Sequence, residues 1–204
     1  MRHHDLAQHL HTHSQHLLVV VGRSGVGKDA VIGAWLRRFP AGARPHLAQR
    51  VITRERHSSE DHEPVTVADF LGMAAGGYFG FRWQAHGLHY GVRWSELAPL
   101  REGRCVVLNG SRQHLPQLRE VAPQARVVEI VLPDALRAAR LHGRGRETPA
   151  ELGSRLSRTA PDSGADLVID NSGPLDDTVA GLHAWWSASA LAPLAPRTRQ
   201  PAQP

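Results

Sequence analysis

The residues Gly22-Arg23-Ser24-Gly25-Val26-Gly27-Lys28-Asp29 follow directly on the apolar run Leu17-Leu18-Val19-Val20-Val21. A buried strand that ends in G-x-x-x-x-G-K and opens into a helix gathers backbone N–H groups and a helix N-terminus around one point. A polyphosphate can be held there without a separate side chain for each oxygen. Gly25 and Gly27 let the backbone curl closely around it, and Lys28 brings a point charge to the β- and γ-phosphates, which is what phosphoryl transfer chiefly asks of a protein. The apolar spacing over residues 29–38 predicts the helix that must follow. The loop departs from the general pattern at its last position, where a Ser or Thr hydroxyl ordinarily meets Mg²⁺ and this chain has Asp29. Gly22 to Asp29 are therefore read as the nucleotide-binding residues, Lys28 as catalytic and Asp29 as the metal ligand, with a nucleoside triphosphate and Mg²⁺ expected in the site.

The elements that must position this loop are legible in outline. A chain of 204 residues with 41% hydrophobic content supports one α/β domain with a real core. Strand-like apolar runs recur at residues 17–21, 104–108, 126–132 and 167–169, separated by helical patterns, which argues for a mainly parallel sheet with helices on its faces. Residues 49–92 break that pattern. A helix-like stretch at 66–73 and an aromatic-rich stretch at 78–84 suggest an inserted substrate-binding subdomain. Thr148, Pro149 and Glu151 form a capping box that starts a helix at the end of an arginine-rich lid, placed at about 140–158.

Both ends read as less structured. Residues 1–16 carry six histidines without a cysteine or carboxylate framework and are expected to be a flexible, solvated or loosely helical arm; proline-rich residues 190–204 are expected to be a disordered tail, leaving 17–189 as the folded unit. A single cysteine, Cys105, allows no intrachain disulfide and suits a reducing cytosol. With no apolar stretch of membrane-spanning length and no signal-peptide pattern, a cytoplasmic protein is expected. The net charge of +5 comes from arginine, because Lys28 is the sole lysine. Arginine excess suits anionic small molecules or nucleic acid; with no nucleic-acid module in view, small-molecule substrates are preferred.

Taken together, the chain resembles the guanylate kinase-like branch of P-loop kinases, and more narrowly the ribose 1,5-bisphosphate phosphokinases of phosphonate breakdown. The resemblance rests on the loop with Asp29, on Ile52-Thr53-Arg54, on Trp83-Gln84-Ala85-His86-Gly87-Leu88-His89-Tyr90-Gly91, on Asn109-Gly110-Ser111-Arg112 and on Arg144-Gly145-Arg146-Glu147. It implies a P-loop NTPase fold and transfer of a phosphoryl group from ATP to ribose 1,5-bisphosphate, giving 5-phosphoribosyl 1-diphosphate. Matching Tyr90-Gly91 to the guanylate kinase Tyr-Gly-Thr puts the guanine-reading carboxylate position on Phe81 and replaces the threonine by Val92. An apolar ring cannot pair with guanine's donors. What remains suits a phosphorylated sugar: Arg50 and Arg54 for an acceptor phosphate, Arg112 for a second one, and Gln84, His86, His89, Tyr90, Asn109 and Ser111 as neutral hydrogen-bonding groups for ribose hydroxyls. Trp83 and Phe81 are expected in the subdomain core. Arg144 is expected on the nucleotide and Arg146, Arg155 and Arg158 on the transferring phosphate, while Arg137 is assigned to a solvated basic helix. Three rivals stay open: a nucleoside monophosphate kinase, a silent interaction module of the same fold, and nucleic-acid binding. A homodimer is the one oligomer allowed for.

Overall fold

The computed structural model describes residues 3–55, 61–142 and 162–189. Helix α1 (His3–His13) leads into β1 (Leu17–Val21), the phosphate loop and α2 (Lys28–Leu36). Then come β2 (His46–Leu47), β3 (Arg50–Ile52), β4 (His62–Pro64), α3 (Val67–Ala75), β5 (Phe79–Ala85), β6 (Leu88–Arg93) and α4 (Trp94–Leu97). The chain continues through β7 (Val106–Asn109), a 3-10 turn (Arg112–His114), α5 (Leu115–Val121), β8 (Arg126–Val131), α6 (Asp134–His142), β9 (Leu167–Asp170) and α7 (Leu175–Ala188).

The main sheet has the order β2-β7-β1-β8-β9 and is parallel at every described pairing. This puts β1 in the centre, and all five of its residues are buried, as a strand covered on both faces requires. Its alternate side chains feed two cores. Leu18 and Val20 pack with Ile32 and Trp35 of α2 and with Leu182 and Trp186 of α7. On the other face Leu17, Val19 and Val21 pack with Leu115 and Leu118 of α5 and with Phe81 and Val92. The second sheet, β4-β3-β6-β5, thus shares a core with the first through Phe81 and Val92. The strands begin and end within two residues of the apolar runs that announced them, and the helix expected at 66–73 runs Val67–Ala75 with the Thr66 side chain accepting from the Asp69 N–H at its N-terminus, 3.1 Å.

The N-terminal segment differs from the flexible arm expected of it. Residues 3–13 form α1, which lies against α5; Leu10 is 4% exposed within the second core. Behind it the buried Ser14 hydroxyl accepts from the Gln124 N–H at 3.2 Å. One anchoring leucine and one buried hydroxyl suffice to dock a helix whose histidine content alone suggested solvent. The Pro-rich stretch 190–204 and the capping box Thr148-Pro149-Glu151 lie outside the described residues.

Candidate active site

Geometry builds the site around the C-terminal edge of β1. Gly27 is the N-cap of α2 and adopts a left-handed φ of 94°. A Cβ there would sit 2.7 Å from the Asn171 Nδ2, so backbone and neighbour both demand glycine. The first N–H groups of α2 have no intrahelical acceptor and open onto a cleft lined by Gly22, Ser24, Gly25, Gly27, Lys28 and Asp29. Lys28 Nζ donates to the Gly22 carbonyl at 2.9 Å and to that of Arg23 at 3.3 Å, which folds its ammonium over the loop. Arg23 and Val26 contribute through their backbone: the Arg23 guanidinium binds Asp134 at 2.6 Å and the Val26 side chain is buried.

Sequence reading missed the residue that pins this loop. Asn171, just past β9, donates from Nδ2 to the Val26 carbonyl at 2.8 Å and accepts the Thr178 hydroxyl at 3.0 Å. Both its side-chain atoms are used, and it is buried. Its only sequence signal is position, since an Asn directly after a strand end sits where loops from neighbouring parallel strands converge. Arg140 donates to the Asn171 carbonyl at 3.0 Å. Arg137, assigned to a solvated helix from sequence, has a fully buried side chain 3.0 Å from Asp134. It packs beside the position a Gly25 side chain would take. The Arg137 and Arg23 guanidiniums together hold the Asp134 carboxyl below the usual carboxylate range.

Asp29 is the junction of the two sheets. Its Oδ1 accepts from Asn109 Nδ2 at 2.7 Å and from Arg50 at 2.9 Å. The eighth loop residue thus reaches both the end of β7 and the start of β3. Both bonds land on Oδ1, and Asn109 Oδ1 is buried with no hydrogen-bond partner. Asp29 Oδ2 takes neither bond, and a carboxylate oxygen on a residue lining the phosphate cleft is a hard donor that fits Mg²⁺, directly or through its water.

Across the cleft from the loop stand Arg50, Arg54, Trp83, Ala85, His86 and Tyr90, with Asn109, Gly110 and Ser111 at its floor. Trp83 and Tyr90 face each other on neighbouring strands and stack at 5.3 Å between centroids with 5° between planes. His114 also stacks on Trp83, at 5.3 Å and 22°. Trp83 packs against the core beside Phe81, as sequence placed it, and its ring also forms an aromatic wall of the cleft. Phe81 is indeed core, at 3% exposure. His114 adds no charge to the wall, because burial pushes its imidazole down to about 4.

Three expected site residues lie elsewhere. Strand alternation sends Gln84 and His89 to the face opposite Trp83 and Tyr90, where they bond each other at 3.1 Å and His89 meets Phe70 of α3. Arg112 does not line the cleft; Glu129, 9% exposed on β8, holds its guanidinium at 3.0 Å and also accepts from Ser163. A buried carboxylate needs such partners, and that need outweighs proximity to Ser111 in fixing Arg112. Arg144, Arg146, Arg155 and Arg158 lie outside the described residues.

No family model matches the chain. Over 168 residues it is 41% identical to the ribose 1,5-bisphosphate phosphokinase PhnN of Burkholderia pseudomallei, a match that covers 80% of this chain and 91% of that protein. The chain belongs to the ribose 1,5-bisphosphate phosphokinase family. A second relative of that name, from Pseudofrankia inefficax, is 43% identical over 162 residues, 78% of this chain and 84% of the relative. A longer one, from Janthinobacterium, is 43% identical over 169 residues, a match that covers 80% of this chain and 37% of that protein. The fold is also that of a guanylate kinase from Anaplasma phagocytophilum, with a TM-score of 0.64 at 20% identity over 84% of each chain. A ribose 1,5-bisphosphate phosphokinase thus keeps a guanylate kinase frame, with an aromatic stack lining its cleft and Phe81 buried in the core behind it. Among the described residues no helix is long and apolar enough to cross a membrane.

Proposed function

We propose that the protein transfers the γ-phosphoryl group of ATP to the 1-phosphate of ribose 1,5-bisphosphate, giving 5-phosphoribosyl 1-diphosphate and ADP within phosphonate breakdown in the cytoplasm. The observation that carries this reading is one cleft that joins the phosphate loop to Arg50 and Arg54, while Phe81 is buried away from it and offers no base-reading carboxylate.

In the reaction, an oxygen of the 1-phosphate forms a bond to the γ-phosphorus as the bond from that phosphorus to the β,γ-bridging oxygen breaks, and ADP leaves with the electron pair. The attacking phosphate is already ionised near neutral pH, so no side chain has to remove a proton. The loop N–H groups and Lys28 hold the donor phosphates, and Lys28 exchanges its loop carbonyls for the transferring group. Arg50 holds the acceptor phosphate in line with it. Asp29, with Asn109 beside it, would hold Mg²⁺, which would supply charge neutralisation to the donor phosphates. Asp29 also fixes Arg50, which couples donor and acceptor ends through one carboxylate.

The deciding experiment compares acceptors. With ATP and Mg²⁺, ribose 1,5-bisphosphate should be converted rapidly, ribose 5-phosphate slowly and GMP hardly at all, with products identified by phosphorus NMR. Ribose 5-phosphate lacks both the nucleophile and its anchoring charge. Preference for GMP would restore the guanylate kinase reading, and no turnover by folded, ATP-binding protein would favour a silent module.

Asp29→Asn is expected to raise the Mg²⁺ concentration for half-maximal rate by more than it raises the acceptor KM, since an amide keeps a hydrogen-bonding oxygen but loses the charge that a hard cation prefers. Metal titration of both proteins checks this. An unchanged Mg²⁺ requirement would leave Asp29 as a favourable charge at the α2 N-terminus and the holder of Arg50.

A further inference from the structure

The acceptor just proposed carries two phosphates, and the phosphate loop accounts for only one end of the cleft. Arg50 marks that end, 2.9 Å from Asp29 at the start of α2. Arg112, the side chain that sequence offers for the second phosphate, is held by Glu129 at 3.0 Å and does not line the cleft. The distal phosphate must be met by what lines the other end. Strand register defines that end: Arg50 pairs with Val92 and Ile52 with Tyr90. The strand from Arg50 to Ile52, continued by the Thr53 N–H donating to the His89 carbonyl at 3.1 Å, therefore runs toward the start of β6 and the β5–β6 turn, with Arg54 in the bend that follows. Two side chains able to carry positive charge line the cleft at that end among the described residues, Arg54 and His86.

His86 has a backbone conformation that sets it apart. Its φ of 54° makes it the single non-glycine residue at positive φ among the described residues. It joins β5 to β6 together with Gly87, φ 72°, between the paired residues Ala85 and Leu88. Two central residues at positive φ make a type I′ hairpin turn, in which Asn, Asp or Gly ordinarily fills the first place. Gly87 meets that demand without cost. At His86 an imidazole is held on the cleft side at a position that glycine would fill with less strain. A side chain kept in a sparsely populated conformation beside a ligand cleft points from the outlier to a contact.

We propose that His86 is a specificity-determining contact for the distal phosphate of a doubly phosphorylated acceptor, donating a ring N–H to a phosphate oxygen beside Arg54. The inference rests on the acceptor reading above and extends it to the 5-phosphate. It divides the labour of the cleft: Arg50 serves the phosphate that reacts, and the hairpin tip serves the phosphate that only binds.

His86→Gly tests it, because glycine takes the turn conformation freely and the variant should fold, with an unchanged circular dichroism spectrum. Isothermal titration calorimetry gives the dissociation constants of ribose 1,5-bisphosphate and ribose 1-phosphate for both proteins. The wild type should prefer the bisphosphate, and in His86→Gly that preference ratio should fall by about tenfold or more, since only one of the two ligands has the group that His86 meets. A ratio within about twofold of wild type would overturn the contact and leave His86 as a turn residue. A wild type that binds neither sugar would instead bring down the acceptor reading, so the two failures are distinguishable.

Discussion

Lys28→Ala is expected to lower turnover by on the order of a hundredfold or more, because it removes a fixed positive group from the transferring phosphate in a site that works by positioned charge. The fold should survive. The side chain lies over the loop, bonded to the Gly22 and Arg23 carbonyls at 2.9 and 3.3 Å, and takes no part in either core. No second lysine exists in the chain to substitute for it. Steady-state rates with ribose 1,5-bisphosphate, set beside thermal unfolding of both proteins, separate the catalytic loss from a folding defect. A well-folded Lys28→Ala enzyme with near-normal turnover would overturn the assignment of the loop.

The strand, loop and helix that hold Lys28 could be read from sequence because every signal that specifies them is local. Five consecutive apolar residues, glycines at set offsets and a following helical period all lie within about twenty positions. The acceptor side was read less completely for the opposite reason. Whether Trp83 or Gln84 faces the cleft depends on which side of the β5–β6 hairpin docks on the main sheet, and strand alternation fixes only that the two face apart. Sequence assigned Gln84 and His89 to the site and Trp83 to the core; the docking through Phe81 and Val92 turns the first two away from the cleft and leaves Trp83 packed on the core while it lines the cleft as well. Long-range partners were equally hidden. Arg112 is captured by Glu129 seventeen residues away, and the Val26 carbonyl is held by Asn171, 145 residues away. No pattern in a single sequence ties such pairs together. Asp29 is the intermediate case: its oddity was visible in the loop, whereas its double bond to Arg50 and Asn109 required the two sheets to meet.

Gly22→Ala is expected to be the most damaging small substitution in the loop, and for a reason that involves no phosphate contact. Gly22 has φ 150°, and an added Cβ would lie 2.3 Å from the Ile130 carbonyl oxygen and 3.0 Å from a Val26 methyl. The oxygen belongs to the backbone of β8, a strand paired on both sides with β1 and β9, so it cannot move aside as a side-chain tip could. Strain at such a φ and overpacking each cost roughly 1–3 kcal/mol. Together they should destabilise the protein by about 3 kcal/mol or more, which for a chain of this size lowers Tm by roughly 6–12 °C. The loop would have to shift away from β8, so the KM for ATP should rise as well. Gly42→Ala is the matching control, because nothing lies within 4 Å of a Cβ there. Thermal unfolding of the two variants beside wild type gives the comparison. Equal melting temperatures for all three would show that the close approach of Gly22 to β8 is not what holds the phosphate loop in place.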